Sequence, residues 1–241
     1  MLLRAIRINK FVEEPDDFEW LIEGLLPSVG WTLFYGLRGI GKTTFAMQMC
    51  TALQDGTDFL GRRVKQKNIM YVQADSLAVE WRQMLKRIAP KSAGFTVVDV
   101  AERALGNPEY CARLQRYIAE LQPGFLVFDS LYNLTAWPIN TEAILMPVNI
   151  IKALVGVTPW MLIHHPPHDA NRAAGHHSLG GNCSQEWRLL KTRLNIEKGR
   201  ILGDSEVIQN KAIMLDKDEH GLWFAKHTES QADSDPFLDR F

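Results

Sequence analysis

Residues 36–43 read Gly36-Leu37-Arg38-Gly39-Ile40-Gly41-Lys42-Thr43, a complete G-x-x-x-x-G-K-[ST] phosphate loop. No other feature of the chain narrows its fold as much, because the motif works only between a strand and a helix. The apolar run Trp31-Thr32-Leu33-Phe34-Tyr35 ahead of it reads as that strand, and the segment from Thr44 to Leu53 reads as that helix. The glycines let backbone N–H groups turn inward around an anion, and the helix N-terminus adds the positive end of its dipole. The nucleotide-binding set is therefore Gly36, Arg38, Gly39, Ile40, Gly41, Lys42, Thr43 and Thr44. Lys42 is assigned to the β- and γ-phosphates, and the Thr43 hydroxyl to Mg²⁺.

The rest of the chain alternates in the manner such a loop requires. Strands are expected at about 67–73, 95–98, 125–128 and 160–163. Helices are expected at 77–89, with Leu77, Trp81, Met84, Leu85 and Ile88 on one face, at 108–121 from a favoured proline position, and at about 141–155 with a kink at Pro147. Alternation of this kind predicts an α/β fold with a mostly parallel sheet covered by helices on both faces. From residue 186 onward the pattern changes to strands joined by turns, at 187–191, 194–197, 207–215 and 222–225, which predicts an antiparallel extension of the sheet. The division is read as a lead segment 1–17, an ATPase domain 18–228 and an acidic tail 229–241 that composition predicts to be disordered.

Asp129 ends the apolar strand at 125–128, on the carboxyl edge where α/β sheets bind ligands. A carboxylate there suits the Walker B role of holding Mg²⁺; helix capping is the plainer alternative. Many P-loop ATPases carry a glutamate immediately after that aspartate, but here the position is Ser130. The group that orients the attacking water must come from elsewhere. Asp75, at the end of the second strand, is the first candidate and Glu80 the reserve. The fourth long strand ends in His164-His165, of which only one can face the γ-phosphate because neighbours on a strand point to opposite sides. In the loop that follows, Arg172, His168, His176 and His177 are candidates to meet phosphates. Five of the seven histidines lie between 164 and 177, so a metal site within that cluster is a rival reading, although the spacings match no common zinc signature and no cysteine joins them.

Composition excludes several classes. With 27 Lys+Arg against 28 Asp+Glu, net charge gives no reason to expect nucleic-acid binding, so any such site has to be a local patch. Cys50, Cys111 and Cys183 are too scattered for a zinc knuckle or a disulfide framework, which fits a reducing cytoplasm. No export signal or membrane anchor is read in the chain.

The lead-in Trp20-Leu21-Ile22-Glu23-Gly24-Leu25-Leu26-Pro27, the phosphate loop, Phe59-Leu60-Gly61, residues 71–75, Phe128-Asp129-Ser130 and Ile163-His164-His165 occur in an order that resembles RecA-like ATPases of the RepA type. These are hexameric replicative helicases of plasmids and phages, distant relatives of DnaB. The resemblance covers about residues 18–225 and implies a bacterial, plasmid- or phage-encoded protein. It implies ATP and Mg²⁺ bound between adjacent subunits of a homo-oligomeric ring, with Lys42, Thr43 and Asp129 matching the family's phosphate and metal residues. Asp75 falls where the family usually carries its catalytic glutamate, one methylene shorter. His165 matches the γ-phosphate sensor better than His164. A basic residue reaching into the neighbour's site is also implied. Lys198 and Arg200 in a K-x-R strand end are candidates, and Arg188 is the other.

Relatives of this type contact single-stranded DNA through loops that correspond here to about 131–141, containing Tyr132, Asn133 and Trp137, and 166–182, containing Arg172. The plainer reading is that Tyr132 and Trp137 pack the loop. The tail from Asp233 to Phe241 resembles the acidic tips of bacterial single-strand-binding proteins, which implies a protein partner. The expected function is an ATP-driven motor on single-stranded DNA, a RepA-like helicase. The alternatives are a RecA-like recombinase or mediator, or a slow regulatory ATPase that loads or controls a DNA-processing partner.

Overall fold

The computed structural model describes residues 7–13, 19–75, 77–88, 94–100, 104–135, 137–138, 141–165, 178–199 and 211–226. In chain order the elements are α1 (Ile8–Val12), β1 (Trp20–Ile22), β2 (Leu26–Pro27), β3 (Trp31–Tyr35), α2 (Lys42–Asp55), β4 (Ile69–Gln73), α3 (Ala78–Ile88), β5 (Thr96–Asp99) and α4 (Pro108–Leu121). They continue with β6 (Phe125–Asp129), α5 (Leu131–Leu134), α6 (Leu145–Val155), β7 (Trp160–His164), α7 (Ser178–Asn182), β8 (Gln185–Leu189), β9 (Arg193–Gly199), β10 (Lys211–Lys217) and β11 (Trp223–Ala225).

Nine strands form one sheet in the order β11-β10-β9-β8-β3-β7-β6-β4-β5. The strands β8, β3, β7, β6, β4 and β5 run parallel to one another. The strands β9, β10 and β11 add on antiparallel beyond β8. The expected extension is therefore present, with β8 as its hinge: it is parallel to β3 on one side and antiparallel to β9 on the other. The lead-in from Trp20 to Pro27 folds onto itself as the small β1–β2 ribbon.

All five residues of each of β3, β4, β6 and β7 are buried. Their sequences are accordingly continuous apolar runs, with alternate side chains packing into two cores. Phe34, Tyr71, Val127 and Ile163 face a core with Phe45, Met49 and Trp81 from α2 and α3. Leu33, Val72, Phe128 and Leu162 face the other, with Leu114, Val148 and Ile151 from α4 and α6. At the end of the sheet away from the phosphate loop, Trp31 and Trp160 stack with centroids 4.7 Å apart.

The helix expected at 108–121 has those bounds, because Asn107 accepts from the N–H groups of Glu109 and Tyr110 and Pro108 occupies the first turn. Two expectations fail. Pro147 does not kink a helix starting near 141. A 3₁₀ turn at Glu142–Ile144 comes first, and Pro147 sits in the first turn of α6, where a missing N–H costs nothing. Leu77 does not share the apolar face of α3. It precedes the helix at 68% exposed, with its N–H donated to Glu80 Oε2. Strand limits at the carboxyl end shift by a few residues, and 207–210 lie outside the described residues. Among the described residues no helix is long and apolar enough to cross a membrane.

Candidate functional site

The phosphate loop joins β3 to α2 at the carboxyl edge of the parallel strands. Gly36 is required by the neighbouring strand, since a Cβ there would lie 2.6 Å from the Leu189 carbonyl oxygen of β8. Gly41 caps α2 with φ +105°, a left-handed conformation that side chains other than glycine's disfavour. Lys42 is buried at 3% exposure, and its ammonium donates to the Gly36 and Leu37 carbonyls at 2.8 and 2.9 Å. Burial pushes its pKa down to about 8, against the pull of Asp129 and Asp75. A desolvated ammonium beside the first turn of a helix is an anion receptor waiting for its charge partner. Arg38 is exposed on the loop. The Thr44 hydroxyl turns to the Met84 sulfur at 3.4 Å, which leaves only the backbone of Thr44 for a phosphate.

Parallel strand β7 separates β3 from β6, so the ends of three strands converge on one spot. The Thr43 hydroxyl donates to Asp129 Oδ2 at 2.8 Å, and the buried Tyr71 hydroxyl donates to the same oxygen at 2.8 Å. The second oxygen, Oδ1, is buried and has no hydrogen-bond partner among the described residues. Burial raises the Asp129 pKa, with the Tyr71 and Thr43 hydroxyls opposing that rise. A hydroxyl and a carboxylate in contact, with one carboxylate oxygen unspent, fit a Mg²⁺ ion that keeps most of its waters. Thr43 would hold such an ion directly, and Asp129 through water.

Asp75 follows β4 and is the hub of a second group. Its Oδ2 lies 3.4 Å from His165 Nε2. Its Oδ1 accepts from the Ser130 hydroxyl at 3.3 Å and from the Asn133 amide at 2.5 Å. The hydrogen bond with His165 is the main cause that lowers its pKa, so it is an ionised carboxylate at neutral pH. His165 thus sits on the Asp75 side, while His164 is fully buried beside Tyr35 of β3. The peptide linking Asp129 to Ser130 is cis. Glu80 instead caps the start of α3.

The other candidates are distributed as follows. Lys198 donates to the Gly180 and Gly181 carbonyls of its own chain at 2.5 and 3.4 Å. Arg188 lies 3.8 Å from Glu197. Arg200, Arg172, His168, His176, His177 and the tail 229–241 lie outside the described residues. Tyr132 is 63% exposed, whereas Trp137 packs against the core that α4 and α6 cover. Among the described residues no group of three or more His, Cys, Asp or Glu could hold a metal ion. Sequence reasoning missed Tyr71, Lys217 and Trp223. A signal for Tyr71 existed: a phenol inside an otherwise apolar buried strand needs a partner for its hydroxyl.

With this geometry established, comparison with known proteins adds three findings. Residues 2–171 match the AAA domain family. The structure resembles that of a KaiC-like protein from the hyperthermophilic archaeon Pyrococcus horikoshii, with a TM-score of 0.60 at 17% identity, covering 86% of this chain and 94% of that one. No curated protein matches the sequence. At that identity the likeness speaks for the fold, which is that of a RecA-like P-loop ATPase.

Proposed function

The chain belongs to the AAA domain family, and on that footing we propose that it is an oligomeric, ATP-hydrolysing motor on single-stranded DNA, of the RepA helicase type. The observation that carries this reading is the convergence of Lys42, Thr43–Asp129 and Asp75–His165 at the ends of four neighbouring strands, β3, β7, β6 and β4. Residues 18–228 act as one ATPase unit in this reading, with the lead segment 1–17 and the acidic tail 229–241 as flanks.

ATP is bound with its β- and γ-phosphates against Lys42 and the backbone N–H groups from Gly39 to Thr44. Mg²⁺, held by Thr43 and through water by Asp129, would supply neutralisation of the negative charge on the phosphates. Asp75 orients the attacking water and takes its proton as the bond from the γ-phosphorus to the bridging oxygen breaks. His165, 3.4 Å from Asp75, serves in this reading as the sensor that reports whether the γ-phosphate is present. Asn133, bonded to Asp75, is the immediate neighbour of exposed Tyr132 in α5, which supports a direct mechanical link from hydrolysis to a DNA-stacking group. Lys198 and Arg188 are both engaged within their own chain, which favours Arg200 as the residue reaching into a neighbour's site.

One observation favours the slow regulatory ATPase as a second reading. Asp75 is shorter than the family's glutamate and is already held by His165, Ser130 and Asn133. Imaging with a non-hydrolysable nucleotide and a single-stranded oligonucleotide, paired with a strand-displacement assay, tests the choice. Closed rings with ATP-dependent unwinding support the motor. Open filaments that pair strands favour the recombinase, and DNA-independent hydrolysis without strand movement favours the switch. Mixing Arg200→Ala with Lys42→Ala subunits is expected to recover activity that neither has alone, because a mixed interface in one of its two orientations takes Lys42 from the Arg200→Ala subunit and Arg200 from the Lys42→Ala subunit.

The desolvated lysine makes a further expectation. Free Lys42 titrates at about 8, and a triphosphate against its ammonium raises that value. MgATP binding at about pH 9 should therefore take up close to one proton, and at about pH 7 almost none. Calorimetric titration in two buffers of different ionisation enthalpy reads this directly.

A further inference from the structure

The last hairpin of the sheet reaches back to the phosphate loop. Lys217, at the end of β10, donates from Nζ to the Ile40 carbonyl at 3.0 Å. Trp223, its cross-strand partner on β11, donates from Nε1 to the Gly41 carbonyl at 3.2 Å. The Lys217 ammonium rests 4.2 Å from the Trp223 ring centroid. Trp223 is itself fixed by two-way bonding to Gln48 of α2: its N–H donates to Oε1 at 2.9 Å, and its carbonyl accepts from Nε2 at 3.3 Å. A Cβ on Gly41 would lie 3.1 Å from Lys217 Nζ and 3.2 Å from Trp223 Nε1.

Two physical points give these contacts a role. In a trans peptide the C=O and N–H point in opposite directions. Holding the oxygens of Ile40 and Gly41 toward the hairpin turns the N–H groups of Gly41 and Lys42 away from it, into the cradle where a phosphate is received. A cation on the Ile40 oxygen also polarises that peptide and strengthens its N–H as a donor. The second point is cost. The ammonium lies at the N-terminal end of α2, where the helix dipole disfavours positive charge, and among the described residues it has no carboxylate within ion-pair distance. A bound polyphosphate removes that cost.

We propose that Lys217 and Trp223 are positioning residues for nucleotide binding: they aim the N–H groups of the phosphate loop from behind and set its affinity for the anionic chain of the nucleotide. This deepens the ATPase reading above and rests on it. Lys217 is exposed, so its replacement leaves the core intact.

The test compares the unmodified chain with Lys217→Met, Lys217→Arg and Trp223→Phe, titrating MgADP and MgATP by calorimetry and recording the thermal midpoint without nucleotide. Lys217→Met is expected to weaken both nucleotides about tenfold, the scale of one charge-assisted hydrogen bond, with an unchanged midpoint. Lys217→Arg restores affinity to within about twofold, and Trp223→Phe weakens both nucleotides in the same sense. Affinity of the Lys217→Met variant equal to that of the unmodified chain, or a loss that Lys217→Arg does not restore, overturns the proposal. Failure of the unmodified chain to bind either nucleotide is a different result and overturns the ATPase reading with it.

Discussion

Replacing Lys42 with alanine is expected to weaken MgATP binding by more than about a hundredfold, with little change in the stability of the free protein. The size follows from the bonds lost: two charge-assisted hydrogen bonds to phosphate oxygens, together about 3 kcal/mol. The small stability change follows from the free geometry. Lys42 is buried and desolvated, and its donation to the Gly36 and Leu37 carbonyls offsets part of that burial cost. Truncation removes the burial cost and those bonds together. Calorimetric binding and a thermal melt on one preparation separate the two effects. Undiminished affinity in the variant would remove Lys42 from the phosphate site.

Asp75→Ala carries the other large effect. Turnover is expected to fall about a thousandfold while ATP affinity holds or rises slightly, because in the proposed mechanism the variant loses a carboxylate set against the γ-phosphate along with the group that handles the water. Single-turnover hydrolysis beside equilibrium binding gives the two values. The link to the following loop supplies a second signature. With Asp75 gone, Asn133 loses its 2.5 Å partner, so any stimulation of hydrolysis by single-stranded DNA should vanish from the residual activity as well. Normal turnover in this variant would transfer the role to Glu80, despite that residue's engagement with the Leu77 N–H.

What could be read from the chain follows how far apart the cooperating residues lie. The phosphate loop is contiguous, and its strand and helix are its immediate neighbours, so eight residues were enough to place it. The parallel core was legible because β3, β4, β6 and β7 are buried on both faces and so are written as unbroken apolar runs. Asp129 was legible as a polar residue ending such a run. The bond from Tyr71 to Asp129 was not, since it spans 58 residues and depends on β4 pairing with β6 in a particular register. Leu77 misled because its spacing matches the helix that follows, whereas its N–H is bonded by Glu80 and the helix begins one residue later, at Ala78. Pro147 misled because its effect depends on where the helix begins, and the 3₁₀ turn ahead of it moved that start to Leu145.

The contacts from Lys217 and Trp223 to Ile40, Gly41 and Gln48 join positions 175 to 182 residues apart. Closing so long a span costs chain entropy that no local contact repays, which makes it a late event in acquiring the native state. The strand β3 needs only β7 and β8 as neighbours, so the sheet around the phosphate loop can close before β10 and β11 join it. Until they do, the cradle lacks its rear support, and on the proposal above its hold on ATP is expected to tighten only when β10 and β11 dock.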